Sequence, residues 1–165
     1  MENKPIKMDS GGMDSLKPAV LELLNQYPAL NGRTITFSGL ESDSGISIEP
    51  ESGALVFSET KNILGGVKQE CQFPFFVVYR TGATSDYQKM SVNEFLDDLG
   101  AWVCRETVNI GGTEYKLTEY PALTGGRKIT GVTRFNSYAL EPNSNNTQDW
   151  VLPLTVSYKH EFESW

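Results

Sequence analysis

Residues 67–80 read VKQECQFPFFVVYR and carry the strongest strand pattern in the chain. The odd-numbered residues from Cys71 to Tyr79 share one face, and the even-numbered residues share the other. Because the second half of the segment is apolar on both faces, it is typical of a central strand covered by helices on one side and by another surface on the other. Pro74 removes one backbone donor, so we expect a bulge or an edge stretch near it.

A helix is predicted after this strand, over residues 92–106. The sequence SVNE at residues 91–94 is typical of a capping box, and Met90 and Phe95 are spaced as a hydrophobic staple. An apolar stripe at helical spacing follows and indicates a helix that packs on a sheet. Its members are Val92, Phe95, Leu96, Leu99, Trp102 and Val103.

Another helix is predicted before the strand, over residues 15–26. Ser15 is a good N-cap residue, and Pro18 lies in the first turn, where its missing N–H costs little. The residue before a proline avoids the helical region, so Tyr27, which precedes Pro28, ends this helix.

The order of the elements predicts the architecture. Residues 1–14 have no hydrophobic period that could offset the entropy of ordering, so we expect a flexible N-terminal tail there. Residues 15–165 contain a helix, several strands, a helix and several more strands, which predicts a single α+β domain. Its fold is expected to be a mostly antiparallel sheet with two helices packed on one face. The polar connection at residues 141–150 is long for a hairpin and is predicted to be a contact loop.

Composition argues against several classes of function. The chain has 14 basic and 21 acidic residues and a formal net charge of −7, which opposes nucleic-acid binding because Lys and Arg supply most of that affinity. No apolar run approaches the ~20 residues needed to span a bilayer, and we expect no secretory signal. Cys71 and Cys104 do not form a CxxC pair and are predicted to be free thiols. No cofactor or metal is predicted.

No catalytic site is predicted either. His160 is the one histidine, and its place between Tyr158 and Phe162 on the apolar side of the last strand favours a core or interface role. Cys104 is interpreted as a small buried residue rather than a nucleophile. The glycine pairs match no phosphate-binding motif and are interpreted as turns. A small acyltransferase or hydrolase that uses His160 or Cys104 is kept as an alternative.

Aromatic residues outside the predicted core favour a role in protein–protein contacts, where such side chains are enriched. Aromatic residues make up 11% of the chain. The candidate interface residues are Phe57, Tyr115, Tyr138, Asn143, Asn145 and Trp150. A small adaptor or inhibitor domain that binds a host protein through residues 141–150 is a further alternative.

With these elements in place, residues 13–162 resemble tailed-phage minor capsid or tail-completion proteins, a tail-terminator-like family. No catalytic signature defines that family. The resemblance is carried by LKPAVLELLNQYPAL at residues 16–30, the Gly65-Gly66 turn before the aromatic strand that ends at residues 73–82, SVNEFLDDLGAWV at residues 91–103 and WVLPLTVSYKHEF at residues 150–162.

The resemblance implies a structural virion protein that is assembled in the bacterial cytoplasm. Its subunits would close into a homo-oligomeric ring, a hexamer, at the head-proximal end of the tail. The implied partners are further copies of itself, the tail tube protein and the head-completion or connector proteins, with no membrane and no sequence-specific nucleic acid. Residues 40–57 and 141–150 would pair with neighbours, and an acidic lumen would let DNA pass because like charges repel.

Overall fold

The computed structural model describes residues 4–40, 44–82 and 85–163. Over these residues the chain forms one large sheet, a separate two-stranded ribbon and two helices. In chain order the elements are β1 (Lys7–Met8), α1 (Gly12–Asn25), β2 (Ile35–Phe37), β3 (Gly45–Pro50), β4 (Leu55–Lys61), β5 (Gly66–Thr81), α2 (Asp86–Val103), β6 (Val108–Ile110), β7 (Thr113–Tyr115), β8 (Arg127–Arg134), β9 (Tyr138–Ala139) and β10 (Gln148–Glu163).

The sheet is built around β5 and β10, two 16-residue strands that pair antiparallel along their whole length. The main order is β1-β4-β5-β10-β8, with β3 also on β5, β2 on β3 and β9 on β10. Only the pairing of β2 with β3 is parallel among the described strands. The prediction of an α+β fold with a mostly antiparallel sheet is confirmed.

Pro74 lies in the middle of β5, at the position where the neighbouring strand changes. β4 pairs with β5 as far as Gln72, and β3 pairs with it from Phe75 onward. The carbonyl of Pro74 accepts the N–H of Glu51 across this gap. Because N and O of one residue point to the same side of a strand, the missing N–H of Pro74 also faces the gap. The expected edge stretch is therefore present, and the pairing of β5 with β10 continues through Pro74 without a bulge.

Both helices pack on one face of the sheet, which confirms that part of the prediction. Tyr27, two residues after the last residue of α1, packs its ring against Phe95 and Trp102 of α2, with ring centroids 5.5 Å apart in each pair. The helices and the sheet share one apolar core. Among its most deeply buried members are Leu16, Leu23, Leu24, Phe73, Val77, Leu96, Leu99, Leu152 and Leu154.

The start of α2 differs from the prediction. The N-cap is Ser85, whose hydroxyl accepts the N–H of Gln88, and the Gln88 side chain accepts the N–H of Ser85 in return. The SVNE sequence at residues 91–94 lies inside the helix, and Met90 is exposed rather than part of a staple. Two candidate capping boxes occur in the sequence, and the earlier one adds more than a turn of helical hydrogen bonds.

The start of α1 also differs, and the prediction of Ser15 as its N-cap is wrong. The helix begins at Gly12 after Gly11, which supplies no side-chain cap. Ser15 is buried, and its hydroxyl oxygen accepts the N–H of Thr124 at 2.9 Å. The hydroxyl that the sequence analysis assigned to the helix cap therefore binds a residue 109 positions away in the sequence. Pro18 lies inside the helix as a result.

The described part of the predicted flexible tail, residues 4–14, has defined contacts. Lys7 and Met8 pair with Val56 and Leu55 of β4, and Asp9 is buried behind them. Periodicity does not detect this arrangement because a two-residue strand has no period to measure. Residues 1–3 of the tail lie outside the described residues.

Candidate functional site

The sheet face opposite the helices, which we call the outer face, is the candidate interaction surface. The register of β5 with β10 places Val78 beside Val151 and Phe76 beside Pro153 on this face. The two helices join the core of the opposite face. The second half of residues 67–80 is therefore apolar on both faces in the structure as well, but neither helix covers the outer face.

Three large apolar side chains extend this surface toward the edge formed by β8 and β9. Phe135, Tyr138 and Leu140 are 56%, 46% and 44% exposed. Tyr138 pairs with Val151, while the N–H groups of Phe135 and Leu140 donate to carbonyls of β10, so all three follow the same antiparallel register. The neighbouring Val151 of β10 is buried, and Phe76, Val78 and Pro153 are half-buried, so these three side chains are the exposed apolar part of the outer face. Several exposed apolar side chains on one face mark a contact site more often than an isolated one does.

The loop between β9 and β10 is shaped by a polar cluster around Asp149. Arg80 donates from Nε and Nη2 to the two carboxylate oxygens of Asp149, at 2.7 and 3.0 Å, and its hydrogen bond lowers the pKa of that carboxyl. Asn143 donates from its side chain to Thr147 Oγ1 at 3.0 Å. The Thr147 hydroxyl donates to Asn145 Oδ1 at 2.6 Å. Asn143 and Asn145, two of the predicted interface residues, therefore have side-chain bonds that fix the loop.

The other predicted interface residues do not form one surface. Tyr138 lies on the outer face, and Phe57 lies half-buried at the bulge of β4, beside a groove lined by outer-face residues. Tyr115 is exposed on the β6–β7 ribbon, away from the large sheet. Trp150 pairs with Tyr79 on the helix-facing side and packs against the core, where its Nε1 is buried without an acceptor among the described residues.

A buried polar cluster that sequence reasoning missed joins the N-terminal segment to the sheet; we call it the Asp9 cluster. The Asp9 carboxylate accepts from Arg127 Nη2 and Nε at 2.7 and 2.9 Å and from the Tyr158 hydroxyl at 2.6 Å. His160 Nδ1 lies 3.9 Å from Asp9 Oδ1 and 3.0 Å from Gln69 Oε1. The partners of Asp9 are 118 and 149 residues away in sequence, so no local pattern indicates the cluster.

The charges of this cluster are set by its burial and its hydrogen bonds. Burial raises the pKa of Asp9, but the hydrogen bonds from Arg127 and Tyr158 outweigh it and leave the net pKa lowered. Burial and the charge of Arg127 lower the pKa of His160, although Asp9 acts in the opposite direction. Asp9 is therefore ionised and His160 neutral at pH 7. Since each of these groups already has a partner, the cluster is well suited to fasten the N-terminal segment.

The structure does not bring the two alternative catalytic residues together. Cys104 Sγ donates to the carbonyl of Val132 at 3.1 Å, and burial raises the pKa of its thiol. His160 pairs with Arg127 of β8, which lies five residues before Val132, the partner of Cys104. Five residues correspond to about 16 Å along a strand, so His160 and Cys104 are far apart. The second thiol, Cys71, is buried, and this burial raises its pKa to about 11. His160 and Cys104 therefore do not form a paired base and nucleophile.

The described residues also bear on metal binding and on membrane insertion. Residues 4–40, 44–82 and 85–163 contain no group of three or more His, Cys, Asp or Glu side chains that could hold a metal ion. In the same part of the chain, neither helix is long and apolar enough to cross a membrane.

Comparison with known proteins finds a likeness among solved structures. No protein-family model and no curated protein matches the chain. Among solved structures, it is similar to a chain in the virion of a native gene transfer agent particle, with a TM-score of 0.53 and 13% sequence identity. The alignment covers 90% of this chain and 97% of that chain. At this identity the likeness shows the fold, so this chain shares nearly its whole fold with a component of a virion particle.

Proposed function

We propose that this chain is a structural protein of a tailed-phage or prophage virion, of the tail-terminator or minor capsid type. Its copies form a ring at the head-proximal end of the tail and join the tail to the head. The observation that carries the proposal is the outer face, which neither helix covers and which exposes Phe135, Tyr138 and Leu140 at its edge. The shared fold with a virion-particle chain and the family resemblance of residues 13–162 support it.

The outer face suits a large partner rather than a small ligand. Phe135, Tyr138 and Leu140 stand exposed along one strand register, next to Val151 and Pro153 of β10. Complete burial of one such side chain contributes roughly 1.5–3 kcal/mol relative to its exposed state. In a closed ring each copy repeats the same contacts, so modest contributions add up to a stable assembly. We assign the tail tube protein as the partner that covers this face.

The role we propose is structural rather than catalytic. The polar residues that sequence reasoning kept as catalytic alternatives are separated in the structure, and His160 is held within the Asp9 cluster. The net charge of −7 fits a ring through which DNA passes, since like charges disfavour binding to phosphates.

Deletion of the gene in the bacterium that carries it tests this proposal. The proposed ring stops tail growth and provides the surface to which the head attaches. Without it, we expect electron micrographs of the deletion strain to show tails of uncontrolled length and heads that are not joined to tails. Complementation with the wild-type gene should restore joined particles. Normal particles from the deletion strain would contradict the proposal.

A pair of matched variants tests the part played by the outer face. Phe135→Ser combined with Tyr138→Ser removes two exposed outer-face rings and should fail to restore joined particles. Tyr87→Ser, which removes an exposed ring from α2, is the control and should restore them. Both proteins should show wild-type circular dichroism, because none of the altered side chains belongs to the buried core. Equal complementation by both would show that the outer face has no part in assembly.

A further inference from the structure

The turn between β4 and β5 exposes two large aliphatic side chains to solvent. Ile63 is fully exposed, and Leu64 is 79% exposed. Turns at the ends of hairpins are normally built from Gly, Asn, Asp, Pro and Ser, because these residues suit the backbone and the solvent. An Ile-Leu pair gains nothing for folding at this position, so its apolar surface is available for another molecule. We call Ile63 and Leu64 the hairpin tip.

The hairpin tip is held in one conformation by its own turn. Asn62 Oδ1 accepts the N–H groups of Leu64 and Gly66 at 2.9 and 2.8 Å, and the N–H of Asn62 donates to the Gly66 carbonyl at 2.9 Å. Gly65 has a φ of 89°, which favours glycine over residues with a side chain. A rigid turn loses little conformational entropy when it binds, which favours association.

A groove lined by both apolar and charged side chains lies at the opposite side of the sheet. It has a volume of about 500 Å³ and runs between β8 and the segment at residues 118–123. Its apolar lining includes Tyr120, Pro121, Leu123 and Ile129, where the Ile63 and Leu64 side chains would lie. The charged side chains of Arg105, Glu119, Arg127 and Lys128 line the rest. β8 has β10 on one side and no second strand neighbour among the described residues, so the groove follows an open edge of the sheet. We call it the β8 groove.

The register places the hairpin tip and the β8 groove at the same end of the sheet. Gly66, where β5 begins, pairs with Glu163 near the end of β10, and Arg127, where β8 begins, pairs with His160. The two surfaces therefore lie at similar height but on opposite edges, with β5 and β10 between β4 and β8. A contact between two different patches of one chain is head-to-tail, and repetition of such a contact closes into a ring when the rotation allows it.

We propose that the hairpin tip of one copy inserts into the β8 groove of the next copy and forms the contact that closes the ring. This inference rests on the proposed ring function and names the partner as a second copy of this chain. Insertion removes Ile63 and Leu64 from water and covers the open edge of β8. The outer face is left free for the tail tube protein.

Disulfide trapping in particles tests the contact. The gene is replaced by one that encodes Leu64→Cys, Ala122→Cys and Cys104→Ser, which places one cysteine on the hairpin tip and one in the exposed rim of the β8 groove. Particles are purified and oxidised, and the chain is detected after non-reducing electrophoresis. We expect a ladder of covalent oligomers that collapses on reduction. Chains that carry only Leu64→Cys or only Ala122→Cys, each with Cys104→Ser, should give no ladder.

A second pair of variants covers the case in which the cysteine chain is not incorporated. Ile63→Ser with Leu64→Ser should reduce the amount of chain in particles at least tenfold, while Tyr87→Ser with Met90→Ser, on exposed positions of α2, should leave it unchanged. Two results would overturn the contact and leave the proposed function intact. One is a double-cysteine chain that enters particles at the wild-type level but gives no ladder. The other is a chain with Ile63→Ser and Leu64→Ser that enters particles at the wild-type level. Absence of the wild-type chain from particles would overturn the proposed function itself.

Discussion

Replacement of Asp9 by Asn removes the charge at the centre of the Asp9 cluster while it preserves the size of the side chain. The ion pair of Asp9 with Arg127 is almost wholly buried, with side-chain exposures of 4% and 9%. Removal of one partner leaves the Arg127 charge in a buried place without compensation, which costs about 3–5 kcal/mol in comparable cases. In a chain of this length, 1 kcal/mol corresponds to roughly 2–4 °C in Tm, so we expect a fall of about 6–20 °C.

The assay is urea and thermal unfolding followed by circular dichroism at pH 7.5. Glu106→Gln is the control, because Glu106 also pairs with an arginine, Arg134, but in an exposed place, where a pair contributes about 0–1 kcal/mol. Combining Asp9→Asn with Arg127→Met removes both charges and should recover part of the lost free energy of unfolding. A loss below 1 kcal/mol in Asp9→Asn would show that residues 7–9 are not fastened to the sheet, and the reasoning would be refuted.

Three further predictions concern acid stability, thiol reactivity and one glycine. The pKa of His160 is lowered in the folded state, so its contribution to stability is present above pH 6.5 and decreases as the pH falls through 6.5 toward the folded value. Urea titrations should show a smaller loss of unfolding free energy between pH 7.5 and 5.5 in His160→Gln than in wild type, and equal losses would contradict this. Burial and the raised pKa of Cys71 should make its thiol unreactive to a disulfide reagent at pH 8 until urea unfolds the chain. Because Cys104 is a second, half-buried thiol, the measurement uses the Cys104→Ser chain, and rapid labelling of that protein in its native state would count against the structure. Gly126→Ala places a Cβ 2.1 Å from the carbonyl oxygen of Glu161, at a backbone φ of 74°, and should lower Tm by several degrees. Gly32→Ala is the control, because Gly32 also has a positive φ but open space around it. Its smaller fall in Tm measures the cost of the positive φ alone.

The sheet and its central strand could be predicted from the sequence because their signals are local. Alternation across residues 67–80 predicts a central strand covered by helices on one side, and the structure confirms the strand. That the odd-numbered face is the one toward the helices is shown by the structure alone. The neighbour change at Pro74 also follows from a single local fact, the missing N–H. Helix starts were less predictable, because Ser85 and Ser91 both begin acceptable capping boxes and only the structure distinguishes them.

The features that depend on distant partners could not be predicted. Asp9 lies in a segment without hydrophobic period, and its partners Arg127 and Tyr158 come from the last third of the chain. Trp150 was grouped with the interface residues on its aromatic character, but the register turns it toward the core. The Ile-Leu pair of the hairpin tip is visible in the sequence. That both side chains are exposed to solvent, which makes them a candidate contact, is shown only by the structure.

The most direct test of assembly as the role of this chain is a cryo-electron microscopy map of the region where head and tail join in particles from the bacterium that carries the gene. We expect a ring of subunits into which this fold fits, with the outer face against the last ring of tail tube protein and the hairpin tip of each copy at the β8 groove of the next. A map of intact particles in which no ring of this fold lies between head and tail would contradict the account.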